Sequence, residues 1–369
     1  MITLKKNNAI TGLDLEAGSL AATEVRQNGA VEVMGAGVKP LPSGVISEGE
    51  VADPDALADA LKELFADNKL SKSVRLGVAN QRVVVRMLRF PAIEKSSELE
   101  SAIRFQAQEH IPMPLDQAVL DYQVVGYSST EAGEPVVDVM VVAARRDMVS
   151  PFVAAMRKAG LRPEGIDLSA FAMIRALGRE REVEETPVLS YEERMEGAET
   201  GAGAPLSGTL FCNLGDVTNL AVARGGTCLF TRVSQFGIEG IAQRLAERRG
   251  LTLEHARQWI AHVGLSEPVE EIEGDMETVA AARAVLTEGA SKLVDELRLS
   301  LEYYGAQETN LVVQDVVACG TGTTVPGLVE AVERELGWRV TAPRPEALAE
   351  LDGHSAARLT LAYGLALES

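Results

Sequence analysis

The sequence predicts an α/β protein of two duplicated domains closing on a cleft, and three observations predict it. The first is Gly12-Leu13-Asp14-Leu15-Glu16-Ala17-Gly18-Ser19, running through Val25-Arg26-Gln27 to Asn28-Gly29. The second is Asn213-Leu214-Gly215-Asp216-Val217-Thr218-Asn219, running through Ala221–Arg224 to Gly225-Gly226. Each reads as strand, polar turn, strand, tight hairpin and strand, and Asn28-Gly29 predicts a type I′ turn with φ > 0 at both central residues. The third is Val317-Ala318-Cys319-Gly320-Thr321-Gly322, followed by Pro326-Gly327-Leu328, which reads as strand, glycine loop and helix start.

Hairpin, hairpin and strand–loop–helix, in that order, are how the actin-like fold frames a nucleotide. Composition agrees. At 369 residues the chain should bury more than one core. Aromatics at 4% suit an aliphatic α/β interior. A net charge of −19 argues against nucleic acid, whose phosphates need Lys/Arg clusters. No apolar run approaches the ~20 residues that span a bilayer. No hydrophobic stretch follows Met1–Lys6 to make a signal peptide. Cys212, Cys228 and Cys319 lack metal spacing and read as buried, reduced thiols. His110, His255, His262 and His354 are dispersed, so neither metal nor histidine catalysis is expected.

Along the chain, residues 1–82 form a first subdomain, in which Asp53-Pro54 caps a helix carrying Leu57, Ala60, Leu61 and Leu64. Residues 83–165 read as a β-α-β-β-α insert. Its first helix opens at a capping box, Ser97 to Glu100, and stops at Ile111-Pro112-Met113-Pro114. Its last helix, Asp147–Ala159, ends on Gly160 as a left-handed cap. Residues 166–178 return to the first domain, 179–208 are an acidic linker without periodicity, and 209–345 are the second domain with a helical lobe at about 238–304. Residues 346–369 return to the first domain.

The insert carries Phe90-Pro91-Ala92-Ile93, Glu100–Glu109 with Arg104, Ile111-Pro112-Met113-Pro114-Leu115-Asp116 and Val119–Val124. With Val142–Arg146, Ala159–Pro163 and Ala362–Leu367, these stretches closely resemble the PilM family, the actin-like cytoplasmic proteins of type IV pilus assembly. FtsA is a poorer match, since nothing after Leu367 reads as its amphipathic membrane helix. The resemblance implies a cytoplasmic adaptor held at the inner membrane by a partner. That partner is the short tail of a PilN-like bitopic protein, gripped between the insert and the first domain, with Arg104, Ile111, Pro112, Met113 and Pro114 as expected contacts. Other pilus assembly proteins and self-association are left open, with no direct membrane insertion.

The resemblance also implies an ATP cleft, from which this chain departs. The family's first phosphate loop resembles Asp-Ile-Gly-Ser-Ser-Ser-x-Lys. Here Asp14 is kept, Glu16 replaces the first glycine and Ala21 the lysine, leaving Gly18-Ser19 to face phosphate. A carboxylate beside a polyphosphate costs roughly 1–4 kcal/mol, depending on the local dielectric. In the second loop, Asn213 replaces the aspartate that helps hold Mg²⁺, so the metal is expected only if Asp14 or Asp216 compensates. Gly215 and Thr218 complete that loop, while Gly320, Thr321 and Gly322, with Glu296 and Ser300 on a helix, resemble the adenosine side. The expectation is a scaffold that binds ATP weakly and turns it over little. The alternative is an active ATPase or phosphotransferase of the same fold. A phosphotransferase needs a carboxylate base where Asn213 stands.

Overall fold

The computed structural model describes residues 9–93, 95–130, 133–178, 206–305 and 311–368, so most of the expected acidic linker lies outside it. The first lobe opens with a meander of β1 (Ala9–Leu15), β2 (Ser19–Asn28) and β3 (Ala30–Pro40). A small hairpin, β4 (Ile46–Ser47) and β5 (Glu50–Val51), leads to α1 (Pro54–Asp67) and β6 (Ser73–Val78). Asp53 caps α1 as expected, its carboxylate accepting from the Asp55 and Ala56 N–H groups at 3.1 and 3.0 Å.

The insert follows as β7 (Val83–Pro91), α2 (Ser96–His110), β8 (Ala118–Ser129) and β9 (Pro135–Arg145). Then come α3 (Arg146–Lys158), β10 (Arg162–Leu168) and α4 (Ser169–Gly178). The second lobe repeats the meander in β11 (Leu206–Leu214), β12 (Thr218–Arg224) and β13 (Thr227–Ser234). It continues through α5 (Ile238–Arg249), α6 (Leu253–Val263) and α7 (Met276–Gly305) to β14 (Leu311–Cys319). Next are α8 (Leu328–Leu336), β15 (Val340–Thr341) and α9 (Gly353–Ala366).

The duplication is explicit in strand order. One sheet runs β10-β6-β1-β2-β3 and the other β15-β14-β11-β12-β13, with the meander antiparallel and the later strands parallel in both. Between them lie α4 and α9, which are buried nearly all round. Leu13, Leu76, Met173, Leu361, Phe211, Ala221 and Val317 share one core, so both sheets pack on this pair of helices. The outer face of the second sheet is covered by α5–α8 through Leu210, Leu220, Ile241, Leu286 and Leu293. This is the actin-like architecture.

Three local expectations change. At Asn28-Gly29 only Gly29 has positive φ, 89°, and Asn28 pairs directly with Ala30, so the turn closes on the glycine alone and is not type I′. The second hairpin does place both residues there, Gly225 at 50° and Gly226 at 75°. In α2 the capping box does not form: the helix begins at Ser96 without a side-chain cap, and Lys95 pairs with Glu98 instead. Finally, α3 turns its apolar stripe (Met148, Val149, Phe152, Met156) into the first-lobe core beside α1 and β10. The insert's own core is therefore β7, α2, β8 and β9, built from Phe90, Leu99, Ile103, Val139 and Val141.

Candidate functional site: an interlobe cleft and a groove under the insert

The β1–β2 and β11–β12 turns meet at the wall of a cleft of about 670 Å³ between the lobes. The first turn carries a cation that is absent from its own sequence. Arg358, on α9, is only 3% exposed and reaches into the β1–β2 turn. Its guanidinium donates to an Asp14 carboxylate oxygen, to the Asp14 carbonyl at 3.2 Å, and to the Ser19 hydroxyl and carbonyl at 2.7 and 2.8 Å. The Glu16 carboxylate lies 3.2 Å from its Nε. An arginine among Ala356, Leu359, Thr360 and Leu361 is the signal by which the sequence could have announced it, since a charge on a buried helix demands a partner.

The two loops also touch each other. The Ala17 N–H, a backbone donor of the first phosphate loop, is taken by the Asp216 carboxylate of the second. Glu16 presses on Gly215, where a Cβ would force the Glu16 carboxylate and the Asn213 amide to shift. Burial pushes Glu16 up to about 8 against the pull of Arg358, with Asp216 and Asp14 adding to the rise. Asp216 is pushed up to about 6, by burial first and then by Glu239. Glu239 is in turn ion-paired with Arg257, whose guanidinium lies against Gly18.

Of the expected nucleotide residues, Asp14, Gly18, Ser19, Gly215 and Asp216 thus come together at the loop-to-loop contact. Asn213 sits behind them, accepting from the Cys319 thiol at 3.6 Å and packed on Gly320, whose φ of 85° brings the backbone close. Gly322 lies on Leu214, and the Thr321 carbonyl accepts from Thr324. The Thr218 hydroxyl donates to the Phe236 carbonyl at 2.7 Å and pins the strand leading to α5. Glu296 and Ser300 are elsewhere: both bind Arg232 of β13, at 3.3 and 2.9 Å, and neither lines the cleft.

What lines the cleft is acidic. Asp14, Glu16, Glu48, Asp216, Glu239 and Glu247 face it, and among the described residues no lysine, arginine or histidine does. Such a lining favours cations and repels polyanions. Among the described residues no group of acids, histidines or cysteines is arranged to hold a metal ion. The three cysteines are buried and unbridged, and burial pushes the Cys212 and Cys228 thiols up to about 12.

A second concavity, of about 560 Å³, lies beneath the insert. Its roof is the inner face of the insert sheet, with Gln123, Val125, Met140 and Val142. Its floor is β10 and α4, with Ile166, Leu168, Phe171 and Ile174, and the β12–β13 turn at Gly226–Cys228 closes one side. Two sheets end here, because β8 is an edge of the insert sheet and β10 an edge of the first. The expected partner residues are not in this groove. Ile111 is 3% exposed in the insert's own core and Met113 packs on that core, while Pro112 and Pro114 are exposed. Arg104 pairs with Glu100 on the outer face of α2.

Residues 12–369 match the family described as type IV pilus assembly protein PilM. The chain belongs to the PilM family. Among solved structures it resembles the PilM–PilN type IV pilus biogenesis complex at 26% identity and a TM-score of 0.74, over 97% of each chain. More distant likenesses include the ethanolamine utilization protein EutJ from Carboxydothermus hydrogenoformans, at 16% identity, covering 96% of this chain and 89% of that one, with a TM-score of 0.49. Another is MreB 5 of Spiroplasma citri bound to AMPPNP, at 12% identity, 97% and 95% coverage and a TM-score of 0.49. Among the described residues no helix is long and apolar enough to cross a membrane. The protein is thus a PilM-family, actin-like member of a type IV pilus assembly system.

Proposed function

We propose that this PilM-family protein is an adaptor at the inner membrane that docks the cytoplasmic tail of a PilN-like bitopic protein in the groove beneath the insert. The carrying observation is the groove's construction: a trough of apolar side chains flanked by Arg75, Asp121, Asp167 and Arg175 and bounded by two edge strands, β8 and β10. Edge strands offer unpaired backbone groups to an extended peptide, while Val125, Met140, Val142, Phe171 and Ile174 offer pockets for its apolar side chains. The structurally similar PilM–PilN complex makes a PilN-like tail the natural occupant.

The same reading treats the nucleotide cleft as degenerate. Its support is electrostatic: an acidic lining, an Arg358 already committed to Asp14, Glu16 and Ser19, and a loop N–H already bonded to Asp216. The residues present do not fit Mg-ATP, and organising a partner needs no turnover.

The test is calorimetric titration of a synthetic tail peptide into the folded protein. Val142→Lys and Phe171→Lys place charge in the trough and are expected to weaken binding at least tenfold, while Arg104→Glu leaves it unchanged. Wild-type affinity in both trough variants would move the partner site elsewhere.

A further inference from the structure

Behind the cleft lies a smaller cavity of about 280 Å³, and it contains an unanswered polar group. Its walls are Val83 and Val85 of the insert, Leu168 and Ala170 of the first lobe, and Asn219, Thr231 and Val233 of the second. Asn219 is 1% exposed, and its Oδ1 has no hydrogen-bond partner among the described residues. Buried polar atoms in native proteins are nearly always paired, so an orphan acceptor facing a cavity points to a donor that arrives with something bound.

Of the polar side chains around it, those of Asn80, Gln81 and Arg232 are already engaged, and the Thr231 hydroxyl is the other polar group on the wall. The Asn80 amide donates to the Glu48 and Gly49 carbonyls, at 3.1 and 3.4 Å, and its oxygen accepts from the Arg82 N–H. Gln81 donates across the lobes to the Val233 carbonyl at 3.2 Å. Arg232, at the rim, is held by Ser300 and Glu296.

The cavity and the tail groove share a roof and a wall. Val85 of β7 pairs with Val142 of β9 on the inner face of the insert sheet; Val85 lines the cavity and Val142 lines the groove. Leu168 lines both, and the β12–β13 hairpin borders both, with its turn at the groove and its strands at the cavity. A segment lying in the groove therefore has a short route under the insert to Asn219.

We propose that this cavity is a second subsite of the tail groove, taking a side chain with an apolar stem and a neutral N–H or O–H donor that bonds to Asn219 Oδ1. This rests on the docking reading above. A neutral amide or hydroxyl fits because, among the described residues, no carboxylate lines the cavity and Arg232, which does, disfavours an ammonium group. Because Asn219 belongs to the second lobe, the docked tail ties both lobes together.

The test titrates the full-length protein with the synthetic cytoplasmic tail peptide of its PilN-like partner and with single Ala variants at each Ser, Thr, Asn and Gln of that peptide. Asn219→Leu, close to isosteric, is expected to weaken the parent peptide at least fivefold and to have no further effect on the one peptide variant that lacks the donor. Val85→Phe fills the cavity from the insert side and guards against a folding defect at Asn219; it is expected to weaken the same peptide. Unchanged affinity in Asn219→Leu and Val85→Phe, alongside loss in Val142→Lys, would mean that the cavity holds water only, and would overturn the subsite while the groove stands. Unchanged affinity in Val142→Lys as well would remove the groove reading and the subsite with it.

Discussion

At the scale of single residues, Arg358 organises the first phosphate loop, and its burial makes it costly to remove. Losing one partner of a buried ion pair leaves a desolvated charge behind and typically costs about 3–5 kcal/mol. Arg358→Met is therefore expected to lower unfolding stability by about that much, read from denaturant midpoints, and Asp14→Leu in the same chain to restore part of it. Glu16 makes a pH prediction. Its folded value near 8 lies above its ordinary 4.5, so the folded chain holds that proton more tightly than the unfolded one. The resulting stability is full below about pH 4.5 and is lost as pH rises toward about 8; Asp216 adds the same sign up to about 6. Urea unfolding at pH 5 and 8.5 should show this loss, and Glu16→Gln should flatten it. The departures at Glu16, Ala21 and Asn213 were legible in the sequence because they break a local motif. Arg358 was not, since its partners stand over three hundred positions away and only folding brings α9 onto the β1–β2 turn.

At the scale of elements, the insert behaves as a unit with its own core, while α3 belongs to the lobe beneath it. Phe90 is 2% exposed inside that core. Phe90→Ala is expected to cost about 3–5 kcal/mol locally. Hydrogen exchange should then rise through β7, α2, β8 and β9 and stay slow in β1, β6 and α3; a uniform rise would contradict an independent insert core. Strands, hairpins and the insert's helix could be read from alternation, glycine and proline. The assignment of α3 could not, because an amphipathic stripe states that a face is buried without naming its neighbour. The same limit applies to the Ile-Pro-Met-Pro segment. Ile111 and Met113 looked like a face awaiting a ligand, yet their apolar surface is spent on α2 and the insert sheet.

At the scale of the whole molecule, two lobes with the same strand order close on α4 and α9, and the sequence echo between Asp14 and Asn213 was enough to reveal the duplication. Charge decides how the cleft behaves. Glu16→Gly with Asn213→Asp removes the repulsion that Glu16 exerts once it ionises, above about pH 8, and adds a carboxylate for Mg²⁺, so above that pH it is expected to tighten Mg-ATP binding by roughly 1–3 kcal/mol if each charge acts partly screened. Calorimetry on the wild type and the double variant reads this directly. The central claim is that this protein works by holding a partner and that its cleft does not need a nucleotide to do so. It is tested most directly by titrating the tail peptide into nucleotide-free protein, with and without saturating Mg-ATP. The account predicts binding of the same affinity, within about twofold, in both. No binding at all, or binding that appears only with Mg-ATP, would contradict it.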